Sequence, residues 1–542
     1  VGLTEPGPPG PKPVTLRRAG VGPEGPGIGL LDVDLATGVV TTWPAVEFGG
    51  PVAALWLVLA ALPGDPPTDD AARRALAAEL PTALVASTVA GVAAPGLARV
   101  AAVGVSPLSG GVAETRAEGP FAAGLRAAGC TGLVLRGRAD RPVYVLVTEG
   151  GASLHDAGDL WSLDTWEATA ALRERHGPTA AVAVAGPAGE RGVPYASVVT
   201  CGQHPLPRLG FGAVWGAKFV KAVVCVGTAR PPVADPAALA EIGRWYARRS
   251  ATSPLTTWQR TSPGFGVWPA VGPAATMDPP PAPDGVAPCP GCPTDCVKTF
   301  AGAGLHQEAL AALGRDLGSR DTAAALELNA RCLREGVDPV SYAEALRAAG
   351  RRPFDGGEWP APGPDTVKSV ALPPFDPREQ PNLGLGYAVA PFGPRYDVCE
   401  HDVDFDPVAG LPHAFPEVRR LGVWVPRPVG EIDVQRTAVL MALWSGLDAL
   451  GVCVFAATPT RPLTLERVGD LVAAVTGERP DVLALGYRRL QIMAEINQRL
   501  GVPASADTLP DRYFDTLDRD RFAVAVRRLR QLLGWEGNAD EM

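Results

Sequence analysis

The sequence predicts a multi-domain α+β protein, β-rich over residues 1–230 and mainly helical beyond. A chain of 542 residues is too long for one hydrophobic core and divides into domains. Short alternating or β-branched runs dominate its first 230 positions, whereas apolar residues recur at helical spacing after Ala234-Asp235-Pro236. At 46% hydrophobic and 20% charged residues the composition is that of ordinary globular material. The expected domains are 1–230, 231–415 and 416–542.

The elements follow in order. IGLLDVDLATGVVTTW (28–43) alternates Leu31, Val33 and Leu35 against Asp32 and Asp34 and turns at Ala36-Thr37-Gly38, a hairpin pattern. Strand-like runs recur at 83–88, 99–105, 132–137, 142–147, 180–186, 195–200 and 221–227, with few helices among them. RLGFGAVWG (208–216) invites a dinucleotide-binding reading, but its G-x-G-x-x-x-G spacing is wrong and no ribose-binding acid follows in a βαβ unit. Past 236, Asp321 is placed to N-cap a helix over 322–335 that stops at Gly336. Further helices are expected at 339–348, 431–450, 464–476, 483–500 and 519–534. Between them, 351–425 is rich in Pro and Gly without a sustained period, and so long a loop is more often functional than idle.

Charge and hydropathy exclude whole classes of function. A net charge of −9 argues against nucleic acid as a partner. The first residues, VGLTEPGPPGPKPV, hold no apolar stretch of a signal peptide or anchor. No run of about 18 apolar residues predicts a membrane span. A cytoplasmic, reducing location is expected, one that favours thiolate ligands over disulfides.

The chemistry concentrates in four cysteines. Cys289, Cys292 and Cys296 lie in CPGCPTDC, and Cys453 ends DALGVC. A tight loop with C-x2-C-x3-C spacing plus one remote thiolate suits a 4Fe–4S cluster. A zinc ribbon would bring a second knuckle, and a redox C-x-x-C would sit at a strand–helix junction rather than among Pro290, Gly291 and Pro293. Cys130, Cys201, Cys225, Cys332 and Cys399 suit small buried hydrophobes. Asp448, Gly451 and Cys453 form D-x-x-G-x-C at the end of helix 431–450, where Gly451 suits the left-handed closing position. A carboxylate there can accept from ring N–H groups of a heterocycle beside the thiolate; the plainer reading is a Gly-capped helix with a buried Cys.

Together these segments resemble the tungsten-dependent aldehyde:ferredoxin oxidoreductase family, as a divergent member. The resemblance runs through LDVDLATGVV, SPLSGG (106–111), AGCTGLVLRGRADRPVYV (128–145) and VAGPAGERGVPYASVV (184–199). It continues in RLGFGAVWGAKFVKAVVCVG (208–227), the cysteine loop, ELNARCLREGVD (327–338), FDPREQPNLGLGYA (375–388) and DALGVC. It implies a β-rich first domain cradling a bis-pterin tungsten or molybdenum cofactor, two helical domains over it, and the 4Fe–4S cluster beside one pterin. It implies oxidation of an aldehyde to a carboxylic acid or the reverse, with electrons passing to ferredoxin or a small iron–sulfur subunit. Reduction of an aromatic or other unusual substrate, or loss of the pterin in a non-catalytic relative, are its alternatives. A homodimer is an assembly it allows.

What it implies for individual residues is specific. Gly210, Gly212 and Gly216 would let backbone approach the cofactor phosphates, and Arg99, Arg208 and Lys218 would supply charge. Lys218 has a plainer reading as a strand-edge charge. Asp338 matches a second pterin-facing turn, in which Leu333 stands where the family has an acid, and Asp448 and Val452 match the first. Glu308 is the expected acid/base, or else an exposed first-turn carboxylate. The family's histidine after GLGYA has no direct match; Arg395, Tyr396, Asp397 and His401 crowd that stretch. There Tyr396 or Asp397 would relay a proton and Arg395 would bind a substrate carboxylate or phosphate, unless they form a structural Arg–Asp network. Arg116 stands where the family has an Asn that helps hold Mg2+ between the phosphates, so its guanidinium is expected to replace that ion.

Overall fold

The computed structural model describes residues 29–43, 50–261, 277–278, 280–316, 318–405, 419–422, 431–458 and 461–535. The N-terminal Pro/Gly segment, with its reading as neither signal nor anchor, and 406–418 and 423–425 of the long loop lie outside these. Twelve strands build two sheets. In the first, β1 (Leu30–Asp34), β2 (Val40–Trp43), β3 (Thr82–Ala86), β4 (Val100–Val105), β5 (Val112–Ala117) and β6 (Gly132–Arg136) take the order β2-β1-β6-β3-β4-β5. Only β1 and β6 run parallel in it. The expected hairpin is β1–β2: the Asp34 carboxylate accepts from the backbone N–H of Ala36 and Thr37, and Gly38 takes the left-handed φ of 74° that the turn needs.

The second sheet contains β7 (Val143–Thr148), β8 (Gly151–Asp156), β9 (Ala181–Ala185), β10 (Val198–Thr200), β11 (His204–Leu206) and β12 (Val220–Cys225), in the order β11-β10-β9-β12-β7-β8. The β-rich first half is as expected, but it carries more helix than its sequence suggests. The helix Gly50–Ala61 is apolar all round and shows no helical period, because it is packed against β3 and β4 on one side and the helix Val482–Arg499 on another. Strand β5 was also hidden: its text, VAETRA, is half polar, yet every residue is buried.

Beyond residue 236 helices dominate. Asp321 caps Thr322–Glu335 by accepting from Ala324 N at 3.1 Å, and Gly336 ends it at φ 68°. The helix Gln307–Asp316 packs on both Thr322–Glu335 and Pro339–Ala349, while Pro236–Ala251 packs on Leu465–Thr476. The most intimate pair is Val434–Ala449 with Val482–Arg499. Gly446 and Gly486 sit where they touch, and a Cβ on Gly486 would collide with the Ala442 carbonyl. Gly486→Ala is expected to destabilise the fold by about 2–3 kcal/mol through overpacking, read as a lower midpoint in thermal or denaturant unfolding. Among the described residues no helix is long and apolar enough to cross a membrane.

Candidate functional site

The cysteine loop hangs from a three-stranded sheet, Gly285–Val286, Lys298–Phe300 and Ala303–Leu305. Gly291, at φ 75°, is pressed so closely on Ala93 and Ala94 that no Cβ would fit. From the other side, Gly451 (φ 65°) closes Val434–Ala449 as expected, and Cys453 N donates to Gly96 O at 2.8 Å. These constraints bring Cys289, Cys292, Cys296 and Cys453 to the wall of one cavity. Among the described residues no three His, Cys, Asp or Glu side chains lie close enough to share a single ion. The four thiols line one cavity, an arrangement that suits a cubane cluster. Burial pushes the Cys453 thiol up to about 12 and those of Cys289 and Cys296 above their ordinary value. The remaining five cysteines are buried and free.

A second cavity, with about 110 Å3 open to water centres, shares Arg99, Glu118, Val297 and His306 with the first. It lies where the ends of β5 and β11 meet the helical half, and it collects Arg116, Arg208, Glu308, Asp338, Arg395, Tyr396 and Asp397. Glu308 is buried at 7% exposure, which removes its reading as a surface carboxylate, and it is paired with Arg208. Arg208 is itself held at φ 74°, a conformation that costs a non-glycine residue ~1–3 kcal/mol, and it also donates to Ala371 O at 2.7 Å and Pro394 O at 3.2 Å. Burial pushes the Glu308 carboxyl up to about 7 against the opposing pull of Arg208. Asp338 caps Pro339–Ala349 by accepting from Ser341 N at 2.8 Å. His306 Nε2 meets the Tyr396 hydroxyl at 3.2 Å, and burial lowers the imidazole below its usual value.

A belt of buried charge runs behind this cavity. Arg99 donates to Glu118 at 2.8 Å and to Asp448 at 3.1 Å. Arg116 is ion-paired with Asp448 and lies 3.3 Å from Glu114 and 3.4 Å from Asp397. Arg489 grips Glu114 at 2.6 and 3.0 Å, and Arg395 Nε donates to Asp397 at 2.8 Å. Glu114, Glu118, His306 and Arg489 were missed as site residues. Arg489 left a signal, a lone cation on the buried face that Gly486, Leu490 and Met493 line; the others acquire their role only through partners distant in sequence.

Several expected residues stand elsewhere. Gly210, Gly212 and Gly216 do not line the cavity; a Cβ on them would collide with the Pro194, Ser197 and Gly189 carbonyls, so chain packing requires them. Lys218 is neither at the cavity nor at a solvated edge: it is buried, donating to Ala78 O at 2.8 Å and Gly137 O at 3.1 Å, and desolvation lowers it to about 8. Val452 is buried, with its N–H spent on Leu447 O. His401 lies behind Tyr396, bonded to its carbonyl at 2.9 Å and edge-on to Phe375, in a separate small cavity.

The four thiols fit a 4Fe–4S cluster. The pterin side does not fit the bis-pterin group. Arg99, Arg116, Arg208, Arg395 and Arg489 are each engaged with carboxylates of the chain itself, Arg99 and Arg116 with Asp448, Arg208 with Glu308, Arg395 with Asp397 and Arg489 with Glu114. Arg116 faces carboxylates rather than a phosphate site, which removes its expected ion-replacing role.

Residues 30–227 match the family model described as aldehyde ferredoxin oxidoreductase, N-terminal domain, and 365–538 match that for domains 2 and 3. A tungsten-containing aldehyde ferredoxin oxidoreductase of Thermococcus kodakarensis is 25% identical over 90% of this chain and 91% of its own. One of the same description from Pyrococcus furiosus is 25% identical over 80% and 82%. The WOR-like subunit of an aliphatic sulfonate oxidoreductase of Pyrococcus furiosus is 30% identical over 26% of this chain and 24% of its own. Among solved structures, the active-site complex BamBC of benzoyl coenzyme A reductase shares the fold, with a TM-score of 0.77 at 19% identity and 94% coverage of each chain.

Proposed function

Since the chain belongs to the aldehyde ferredoxin oxidoreductase family, whose members are oxidoreductases, we propose that it passes electrons one at a time through a 4Fe–4S cluster on Cys289, Cys292, Cys296 and Cys453. The observation that carries this reading is the pair of cavities with common walls: four thiols round one, acid/base groups round the other, with Arg99 and His306 between. A ferredoxin or a small iron–sulfur subunit supplies or collects the electrons. A small substrate sits in the polar cavity, where each step moves one electron and one proton, and Glu308 holds or gives the proton.

The substrate carries an anionic group. Arg395 Nη2, Arg116 Nε and Thr115 Oγ1 line that cavity as buried polar atoms without a hydrogen-bond partner, and a carboxylate or similar oxyanion satisfies such donors. The conversion of an aldehyde to an acid, expected from the resemblance, takes its two-electron step from a metal–pterin centre. The groups around Asp448, already engaged by Arg99 and Arg116, do not accommodate that centre.

Anaerobically prepared protein should contain about four iron atoms per chain and give an EPR signal on dithionite reduction that ferredoxin reoxidises. Zinc in place of iron, or iron that no reductant reaches, would overturn the reading.

A further inference from the structure

Strand β5 holds Glu114 and Arg116 on one face, paired across the strand from Val103 and Ala101. The strand points both side chains at the end of the helix Val434–Ala449, where Asp448 is 2% exposed. The Arg116 guanidinium closes on Asp448, with Arg99 on the same carboxylate at 3.1 Å and Arg489 Nη1 at 3.8 Å. Arg489 in turn fills Glu114, and Arg395 fills Asp397. Every carboxylate of this group already has its cation.

The chemistry of that contact is specific. The 2-amino-4-oxopyrimidine edge of a pterin presents neighbouring N–H donors on an N–C–N fragment, and a carboxylate receives them as a fork. A guanidinium presents the same fork on the same fragment. Arg116 places one guanidinium nitrogen, and Arg99 another, on the carboxylate by which Asp448 would receive a ring. Were Arg116 to swing away to admit one, it would leave Asp448 as well as its share of Glu114 and Asp397, three buried carboxyl groups with one guanidinium fewer among them.

We propose that this chain has closed its own pterin site: Arg116 occupies Asp448 permanently, and the protein assembles its iron–sulfur cluster without a tungsten– or molybdenum–pterin centre. The inference rests on the oxidoreductase reading for the cluster, but it is tested separately from it. In this state the electrons of the cluster meet the substrate in the small cavity directly, with Arg99 touching both Asp448 and the wall of the cysteine cavity.

The test uses the wild-type chain, so no variant has to fold. It is produced with tungstate and molybdate in a host that, in parallel, loads a metal–pterin aldehyde ferredoxin oxidoreductase to near completion, and the iron-replete fraction of each protein is taken. Metal analysis and the fluorescence of iodine-oxidised pterin are read on both. The expected result is tungsten plus molybdenum at least tenfold below the control and no pterin fluorescence above background. Tungsten or molybdenum near the control level, with pterin, overturns the proposal while leaving the cluster assignment intact. Lack of iron in every fraction would instead strike the cluster assignment.

Discussion

Cys453→Ser is expected to abolish the cluster signal and all electron transfer to ferredoxin while the chain stays folded. Serine has the size of cysteine, and the backbone at 453 is fixed independently of its side chain by Gly451 at φ 65° and by the bond from Cys453 N to Gly96 O at 2.8 Å. Of the residues this segment brings to the cysteine cavity, Cys453, Phe455 and Ala456, only Cys453 carries a thiol. With three thiolates left, the fourth corner of the cubane has no protein ligand, so iron should fall well below about four per chain and turnover should drop to background. Cys201→Ser, in a residue buried elsewhere in the first half, should leave iron and EPR unchanged. Equal iron in the two variants would show that the four cysteines do not share a cluster.

Glu308→Gln is expected to lower turnover by about 10²–10⁴ without loss of iron, and to remove a pH limb centred near 7. Burial places the Glu308 carboxyl at about 7, with Arg208 opposing the shift. In the reducing direction the proton leaves Glu308, the neutral acid is the active form, and the rate falls as pH rises through 7. In the oxidising direction the carboxylate takes the proton and the rate rises over the same range. The amide keeps the shape and can accept from Arg208, but it titrates in neither direction. A variant that retains the limb would assign the proton to another group, and His306 with Tyr396 is the neighbouring pair.

How much of this was legible in the sequence depends on whether a residue's role is local. The Asp321 cap, the stop at Gly336 and the closing turn at Gly451 are set within a few residues, and each stands where the spacing predicted. The four cysteines were legible for a similar reason, since three of them share one loop. The glycines of RLGFGAVWG were misread because a missing side chain looks the same whether ligand or backbone comes close; here it is the backbone of Pro194, Ser197 and Gly189. Strand β5 was illegible because Glu114 and Arg116 are tolerable in a core only through Arg489 and Asp448, far along the chain. Nothing in VAETRA announces those partners.

The glycine contact between Val434–Ala449 and Val482–Arg499 reaches further than packing. Ser445 donates to Gly486 O at 3.0 Å and accepts from Arg489 at 2.9 Å, so the separation of the two helices fixes where Arg489 stands, and with it Glu114 and Arg116. The field at the cysteine cavity, and so at the proposed cluster, is thereby tied to a distance between two backbones. A substitution at Gly446 or Gly486, which ligates nothing and carries no charge, would retune the midpoint potential of a cofactor it never touches.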